Sequence, residues 1–238
     1  MIVAWRASGH DVLTQPATTM KVEIYSDIAC PWCYIGEKRF ATALASFAGD
    51  DVDVSFRPYQ LDPAASTTPR PLTDALREKF GGHVQPMLDR VTGVARGEGI
   101  EMHWDQAVAV NTLTAHRLLR FALVEHGAEV QRALAEKLFD AHFSRGGDVG
   151  DTALLTSLAA SVGMDARRVR AYLASDEGLA ETRAEIEHAR AMGIRAVPTF
   201  VFDGQYMVEG GQPSAVFADV LRQVAELGAR DDAPVAQP

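Results

Sequence analysis

The two cysteines of the chain, Cys30 and Cys33, are separated by only two residues. In a chain of 238 residues, two randomly placed cysteines would lie three positions apart in about one case in a hundred, so the spacing is itself a signal. Such a pair can exchange disulfides, bind a metal ion or pack as an inert buried pair. The pair follows a predicted strand and opens a predicted helix, which is the context that redox catalysis requires, and we favour that interpretation.

A zinc site would need further ligands beside the two cysteines. The sequence offers no third cysteine, and none of its seven histidines lies three to five residues from another histidine. Zinc ligands usually occur in closely spaced pairs of this kind, two pairs to a site. We therefore predict that the chain holds no metal.

Cys30 follows a strand pattern at residues 21–26 and precedes Pro31, a residue type favoured at the first position of a helix. This order places Cys30 at a helix N-cap, where unpaired N–H groups and the positive end of the helix dipole favour a thiolate. The thiolate is the form that attacks disulfides. Cys33 lies one turn deeper and is expected to be less accessible. We predict that Cys30 attacks first and that Cys33 resolves the mixed disulfide.

Hydrophobic periodicity predicts a strand–helix–strand unit at residues 21–26, 31–47 and 52–58. A proline-rich linker follows, and the pattern then becomes almost wholly helical as far as residue 192. An Asp-Gly turn at residues 203–204 predicts a hairpin, and an amphipathic helix at 213–227 closes the pattern. The two flanking pieces can form one sheet with the helical block inserted between them.

This order of elements predicts an α/β, thioredoxin-like fold with an inserted all-helical domain. The thioredoxin-like domain is expected to be discontinuous, with segments 20–66 and 194–228, and the helical insertion to cover residues 67–193. We expect residues 1–19 to form a flexible leader and residues 229–238 a disordered tail.

A proline, Pro198, precedes the first strand of the predicted hairpin. In a thioredoxin fold this loop faces the cysteine pair, and that context favours a cis bond which is otherwise uncommon. A cis bond would leave the backbone of Val197 free to pair with a bound polypeptide as an added strand. We therefore assign Pro198 to the catalytic site and Val197 to substrate binding.

Four separated segments of the chain resemble the FrnE-like branch of the DsbA family of thiol–disulfide oxidoreductases, in the thioredoxin superfamily. They are residues 27–36, residues 111–112 with 115–118, residues 197–202 and residues 210–213. The resemblance extends over about residues 21–227, and it implies Cys30 as nucleophile, Cys33 as resolving thiol and Pro198 as a cis-proline. Some members of this branch carry an additional cysteine pair. This chain has none, so an internal relay disulfide is excluded.

Four further residues are predicted to contact a substrate: Pro31, Trp32, Asn111 and His116. Trp32 lies between the cysteines, and its ring is expected to be exposed beside the sulfur, with core packing as the alternative. Asn111 is either a helix cap or, as the resemblance suggests, a side chain that reaches the site. His116, one helical turn further on, is interpreted as a core or groove histidine that could touch substrate.

Glu37 follows Cys33 by one helical turn and could accept a proton from its thiol. The charged residues Lys38 and Arg39 come directly after it. A run of charges on a helix is usually a solvated face, and we adopt that interpretation for Glu37.

The composition argues against several kinds of partner. The net charge is −9, from 23 basic and 32 acidic side chains, and no basic stripe is present, so we predict no nucleic acid partner. No run of 18 apolar residues occurs, and the apolar run at residues 1–5 is too short for a secretory signal. We therefore expect no membrane partner and a cytoplasmic location, where structural disulfides are rare and a cysteine pair is more often catalytic.

The leading functional interpretation is a thiol–disulfide oxidoreductase that acts on thiol- or disulfide-containing proteins or small molecules. It requires no bound cofactor, although glutathione could serve as a co-substrate. One alternative is a glutathione-dependent isomerase or transferase similar to 2-hydroxychromene-2-carboxylate isomerase or the kappa-class glutathione transferases. In those enzymes the similar site has serine at the nucleophile position, so the two cysteines of this chain favour redox chemistry. The other alternative is a non-catalytic peptide-binding holdase.

Overall fold

A computed structural model describes residues 3–4, 19–49 and 51–231. Its strands in chain order are β1 (Val3–Ala4), β2 (Thr19–Ser26), β3 (Asp51–Pro58), β4 (Arg70–Pro71), β5 (Val108–Ala109), β6 (Thr199–Phe202) and β7 (Tyr206–Glu209). Five of them form one mixed sheet in the order β1-β7-β6-β2-β3. Within it β2 and β3 are parallel, and the other pairs are antiparallel. The short strands β4 and β5 pair separately.

The helices of the described residues are α1 (Pro31–Ala45), α2 (Leu72–Phe80), α3 (Val84–Gly97), α4 (Leu113–His126), α5 (Ala128–Phe139), α6 (Thr152–Ser161), α7 (Ala166–Leu173), α8 (Leu179–Ala191) and α9 (Ser214–Asp231). Seven of these, α2 to α8, lie between β3 and β6 in the chain. The structure therefore confirms a thioredoxin-like fold with a helical insertion, while the domain limits at residues 67 and 193 stay a prediction.

Helix α1 packs against both the sheet and α9 through a large aromatic side chain on its apolar face. The Phe40 ring lies 5.3 Å from that of Phe200 on β6 and 5.5 Å from that of Phe217 on α9. All three rings are buried. Aromatic pairs at these spacings add about 0.5–1.5 kcal/mol each beyond their area burial, so the cluster fixes the helix that carries the cysteines.

The edge of the sheet at β3 is covered by a side chain from the helical insertion. The amide of Gln131 on α5 accepts a hydrogen bond from the backbone N–H of Phe56 at 2.8 Å and donates one to the backbone C=O of Phe56 at 2.9 Å. It thereby satisfies the two groups that a further strand would use. At the C-terminal end of α5, the Phe139 ring stacks on that of Tyr34 in α1 at 5.3 Å.

Two predictions about the chain ends are corrected by the structure. Val3 and Ala4, expected in a flexible leader, pair with Met207 and Tyr206 of β7, and Thr19 already belongs to β2. The rest of the leader lies outside the described residues. Residues 229–231, assigned to a disordered tail, continue α9, and residues 232–238 lie outside the described residues. In the part of the chain that the structure describes, no helix is both long and apolar enough to cross a bilayer.

Candidate active site

Cys30 is the N-cap of α1, as the sequence predicts. Its backbone is extended (φ −98°, ψ 111°), Pro31 is the first residue of the helix, and the Cys30 N–H donates to the C=O of Asp27 at 3.0 Å. The sequence predicts that the Cys30 sulfur contacts the first N–H groups of α1. The structure shows no hydrogen bond between them. The thiol is turned toward the loop before β6.

The Cys30 thiol donates a hydrogen bond to the C=O of Val197 at 3.5 Å, within the limit for a sulfur donor. The peptide bond between Val197 and Pro198 is cis, as predicted. Since β6 begins only at Thr199, Val197 lies outside the ladder of the sheet and stays half-buried beside the sulfur. The structure thus brings Cys30, Val197 and Pro198 together. The role of Val197 in substrate binding stays a prediction.

Cys33 lies one turn into α1, and both cysteines are free thiols. It is 1% exposed, against 4% for Cys30, so both residues are buried and the order in which the two thiols react stays a prediction. Burial raises the pKa of the Cys33 thiol well above its ordinary value, and the neighbouring Cys30 raises it further. The Ser26 hydroxyl and the Asp27 N–H oppose this effect. Cys33 therefore needs help to lose its proton.

Two glycines allow the loops around the cysteine helix to approach it closely. A Cβ atom on Gly36 would lie 2.9 Å from Cγ of Pro198, and one on Gly211 would lie 3.0 Å from the C=O of Trp32. The N–H of Gly210 donates to the C=O of Pro198 at 2.7 Å. The resemblance segments at residues 27–36, 197–202 and 210–213 thus meet at one place, around α1.

Asp27 is a buried carboxylate directly beneath the cysteine turn. It accepts hydrogen bonds from the N–H of Leu61 at 2.8 Å and of Ala29 at 3.3 Å, and its Oδ1 lies 3.2 Å from Nε2 of His116. Burial alone would raise its pKa, but the bonds from His116, Leu61 and the Thr112 hydroxyl hold it below its ordinary value. Asp27 is therefore ionised at neutral pH, and it joins the turn, the loop after β3 and α4. Sequence reasoning did not single it out.

The prediction that His116 contacts substrate is corrected. His116 is only 2% exposed and its ring faces Asp27, so it has no surface to offer a bound molecule. A second buried histidine, His142, also lies close to Asp27 and was not identified from the sequence. It lies in a π-helical turn, Asp140–Ser144, that follows α5. Hydrophobic periodicity does not predict such a turn, so the sequence contained no sign of this position. Neither of its ring nitrogens has a hydrogen-bond partner in the described structure.

The prediction that Glu37 is solvated is wrong. Its side chain is 5% exposed because α5 covers this turn of α1. Burial raises the pKa of Glu37 to about 7, and Glu136 adds to this effect while Lys38 and Arg132 oppose it. One carboxylate oxygen, Oε2, has no partner among the described residues.

The remaining predicted substrate contacts are Pro31, Trp32 and Asn111. Pro31 and Trp32 are half-buried, and the Trp32 ring packs partly against the core, so its expected exposure is only partial. Asn111 precedes the N-cap of α4, yet its Oδ1 accepts from the N–H of Leu113 at 2.9 Å and from Gln60 at 3.0 Å. It therefore acts as a local cap and holds the loop after β3. A role of these residues in substrate binding stays a prediction.

An open cleft of about 390 Å³ lies beside this loop. Its walls come from the loop after β3, the start of α4 and α8, and include Gln60, Asn111, Arg183, Ile186 and Arg190. Arg190 also donates to the C=O of Gln60 at 3.0 Å. Gln60 and Asn111, which line the cleft, are also hydrogen-bonded to each other. Within residues 3–4, 19–49 and 51–231, no three His, Cys, Asp or Glu side chains cluster as metal ligands would.

Comparison with known proteins agrees with this geometry. An uncharacterized protein of Bacillus subtilis, YwbO, is 28% identical over 207 residues, which cover 85% of this chain and 96% of that protein. A crystal structure of a probable DsbA oxidoreductase from Streptomyces coelicolor is 34% identical, with a TM-score of 0.79 over 92% of this chain and 94% of that one. The cytosolic disulfide reductase DsbM of Pseudomonas aeruginosa shares the fold at 20% identity, with a TM-score of 0.62 over 87% and 99% of the two chains. The model of the DSBA-like thioredoxin domain matches residues 21–222, and the chain belongs to that family.

Proposed function

We propose that the protein is a thiol–disulfide oxidoreductase whose nucleophile is Cys30 and whose resolving thiol is Cys33. The observation that carries this proposal is the position of Cys30, the N-cap residue of α1, whose thiol lies 3.5 Å from the C=O of Val197 and which has Cys33 one turn behind it. A sulfur at the start of a helix gains from the helix dipole when it ionises. The cis-Pro198 loop supplies a free backbone edge beside it.

The reaction has two exchange steps in the reducing direction. The Cys30 thiolate attacks one sulfur of a substrate disulfide, and the other substrate sulfur leaves as a thiolate. Cys33 then loses its proton and attacks the Cys30 sulfur, which expels the second substrate thiolate and closes the Cys30–Cys33 disulfide. Two electrons pass from the cysteine pair to the substrate, and the two protons end on the substrate thiols. The oxidising direction is the same sequence reversed.

The substrates that fit this site are disulfides and thiols of proteins or small molecules. The two thiols complete the chemistry, so we propose no metal, flavin or nucleotide. Glutathione is the co-substrate that a cytoplasmic enzyme of this kind would meet, and we place the protein in that compartment. The resemblance to the FrnE-like branch supports this assignment.

Reduction of insulin by the dithiothreitol-maintained protein tests the proposal. The wild-type protein should accelerate the precipitation of reduced insulin chains, Cys30→Ser should abolish the effect, and Cys33→Ser should accumulate a mixed disulfide on Cys30. Val124→Ser, an exposed position on α4, serves as the matched control and should behave as the wild type. Equal activity of the wild type and Cys30→Ser would refute the assignment.

The same variants separate the two alternatives. A holdase would protect a client from aggregation equally well with and without Cys30. A glutathione-dependent isomerase or transferase would gain thermal stability from glutathione alone, through binding to the native state. An oxidoreductase loses its effect on insulin in Cys30→Ser whether or not glutathione is present.

A further inference from the structure

Arg39 of α1 contacts two segments that are distant from it in the chain. Its Nε donates to Oε1 of Glu98, the C-cap residue of α3, at 2.6 Å, and its Nη1 donates to the C=O of Gly211 at 2.8 Å. The side chains of Arg39 and Glu98 are 17% and 22% exposed, so this ion pair is largely shielded from water. Charge-assisted hydrogen bonds are among the strong ones, and shielding reduces their screening. Arg39 therefore joins the cysteine helix to the helical insertion and to the loop between β7 and α9.

That loop, residues 210–213, packs directly on α1 where Arg39 reaches it. A Cβ atom on Gly36 would lie 3.2 Å from Cα of Gly211, and one on Gly211 would lie 3.3 Å from Cα of Gly36. The lack of a side chain at both positions allows this close approach. Among the residues that the structure describes, Arg39 is the one side chain from outside the loop that hydrogen-bonds to its backbone.

The same loop determines where the peptide facing the Cys30 sulfur lies. The N–H of Gly210 donates to the C=O of Pro198 at 2.7 Å, which extends the pairing of β6 with β7 by one bond. The residue before Pro198 is Val197, whose C=O accepts the hydrogen bond of the Cys30 thiol. A displacement of Gly210 would therefore move the C=O of Pro198 and, with it, the backbone of Val197.

An extended polypeptide that pairs with the Val197 backbone needs that backbone in a fixed position before it binds. Strand addition takes its affinity from main-chain hydrogen bonds, and an edge that must first become ordered binds more weakly. A small disulfide without backbone amides makes no such bonds. The two kinds of substrate should therefore respond differently when the loop is released from α1.

We propose that Arg39 is a positioning residue for polypeptide disulfides, because it holds residues 210–213 on α1 and thereby fixes the Val197–Pro198 backbone with which the substrate strand pairs. The inference rests on the proposed function. Arg39 takes no part in the exchange steps and acts through the backbone of residues 210–211. Glu98 orients the guanidinium, so the helical insertion contributes to the same position.

Two disulfides with the same leaving group test this role. One is 5,5′-dithiobis(2-nitrobenzoate), which has no backbone amide, and the other is a peptide of about ten residues whose single cysteine is linked to 2-nitro-5-thiobenzoate. All proteins carry Cys33→Ser, so the reaction ends at the mixed disulfide. The Cys30 thiolate forms a bond to one substrate sulfur and expels 2-nitro-5-thiobenzoate, whose absorbance is followed by stopped flow. The rate as a function of peptide concentration gives a half-saturation concentration and a limiting rate.

Arg39→Met removes the guanidinium and keeps the apolar stem. We expect it to raise the half-saturation concentration of the peptide by about 10-fold, the order expected when one charge-assisted hydrogen bond that holds the loop is lost. The limiting rate with the peptide and the rate with 5,5′-dithiobis(2-nitrobenzoate) should stay within about threefold. Arg39→Lys, which can still donate to the C=O of Gly211, should restore part of the peptide affinity.

Arg120→Met is the matched control. Arg120 also forms a partly shielded ion pair, with Glu185 at 2.9 Å, and it has no hydrogen bond to residues 210–213 in the described structure. Both disulfides should react with this variant as they do with the parent protein.

Hydrogen exchange of the Gly210 N–H, measured by NMR, reports on the loop without any substrate. It should become about 10-fold faster in Arg39→Met and stay unchanged in Arg120→Met. Glu98→Gln removes the ion pair and leaves Arg39 in place. It should change the exchange and the peptide affinity in the same direction by about threefold, and it keeps the test open where Arg39→Met folds poorly.

The outcomes distinguish the inference from the function on which it rests. A peptide half-saturation concentration within about twofold of the parent value in Arg39→Met would overturn the inference. Equal slowing with both disulfides would also overturn it, since that is a general effect on the structure around Cys30. A weaker affinity without faster exchange at Gly210 would overturn it too, because Arg39 would then act on the peptide directly. No release of thiolate from either disulfide by the parent protein would instead remove the proposed function.

Discussion

The buried Glu37 carboxyl makes stability fall as pH rises, and its replacement by glutamine should remove that dependence. The ordinary pKa of a glutamate is 4.5, and burial raises that of Glu37 to about 7. The unfolded chain therefore loses this proton at lower pH than the native protein does. The contribution of Glu37 to stability is intact below about pH 4.5 and is lost progressively as the pH rises through about 7.

The size of the effect follows from the two pKa values. Each unit between them is worth about 1.4 kcal/mol, so ionised Glu37 costs the native state about 3 kcal/mol at pH 8 and under about 1 kcal/mol at pH 5. Glu37→Gln should therefore gain about 2.5 kcal/mol of unfolding free energy relative to the wild type between pH 5 and pH 8. Lys38 and Arg132, which oppose the rise, are already included in the native value.

Urea unfolding at the two pH values, with both cysteines kept reduced, measures this difference. Any constant cost of burying the glutamine amide is the same at both pH values and cancels. Glu129→Gln, at an exposed position on α5, is the control and should show no pH-dependent gain. A difference below about 0.5 kcal/mol for Glu37→Gln would mean that the carboxyl is solvated in solution and that α5 does not cover it.

Three other predictions concern buried groups and close packing. Burial lowers the pKa of His142 to about 4, so its contribution to stability is intact above about pH 6.5 and is lost as the pH falls toward 4. Between pH 8 and pH 5 the unfolding free energy of His142→Gln, measured with urea, should fall by about 2 kcal/mol less than that of the wild type. An equal fall in the two proteins would contradict this prediction. Gly36→Ala places a Cβ 2.9 Å from Cγ of Pro198, so it should lower the free energy of unfolding by about 1–3 kcal/mol and slow insulin reduction. The control Gly93→Ala on α3 has no atom within 4 Å of the new Cβ and should raise the free energy of unfolding by about 0.5–1 kcal/mol. Similar effects of the two changes would refute the packing argument. Gln131→Ala leaves the backbone N–H and C=O of Phe56 without partners and should lower the free energy of unfolding in urea by about 2–4 kcal/mol. The control Gln85→Ala, at an exposed position, should change it by no more than about 0.5 kcal/mol. A change within about 0.5 kcal/mol for Gln131→Ala as well would show that the edge of β3 does not depend on Gln131.

The parts of the fold that the sequence predicts well depend on local patterns. The cysteine helix begins at Pro31, as predicted, because the strand before it and the proline at its first position are adjacent in the chain. The hairpin of β6 and β7 turns at Asp203 and Gly204, both with positive φ, as an Asp-Gly turn requires. The cis bond before Pro198 was predicted from the fold and not from its own neighbours.

The parts that sequence reasoning missed depend on contacts between distant segments. Asp27 and His116 are 89 positions apart, and no periodicity links them. Glu37 stands in a run of charged residues, and only the packing of α5 over α1 decides that it is buried. The pairing of β1 with β7 joins segments about 200 positions apart. In each case the deciding quantity is which surfaces meet, and a single sequence does not contain that information.

The Cys30 sulfur and the Val197 carbonyl that it contacts are 167 positions apart in the chain, one before and one after the helical insertion. During synthesis at about 5–20 residues per second, Cys30 and Cys33 leave the ribosome roughly 10–30 s before the Val197 loop does. Over that interval the emerging polypeptide exposes two thiols without the strand and loop that later confine them. The newly made chain therefore passes through a stage in which both sulfurs are open to modification before the native packing encloses them.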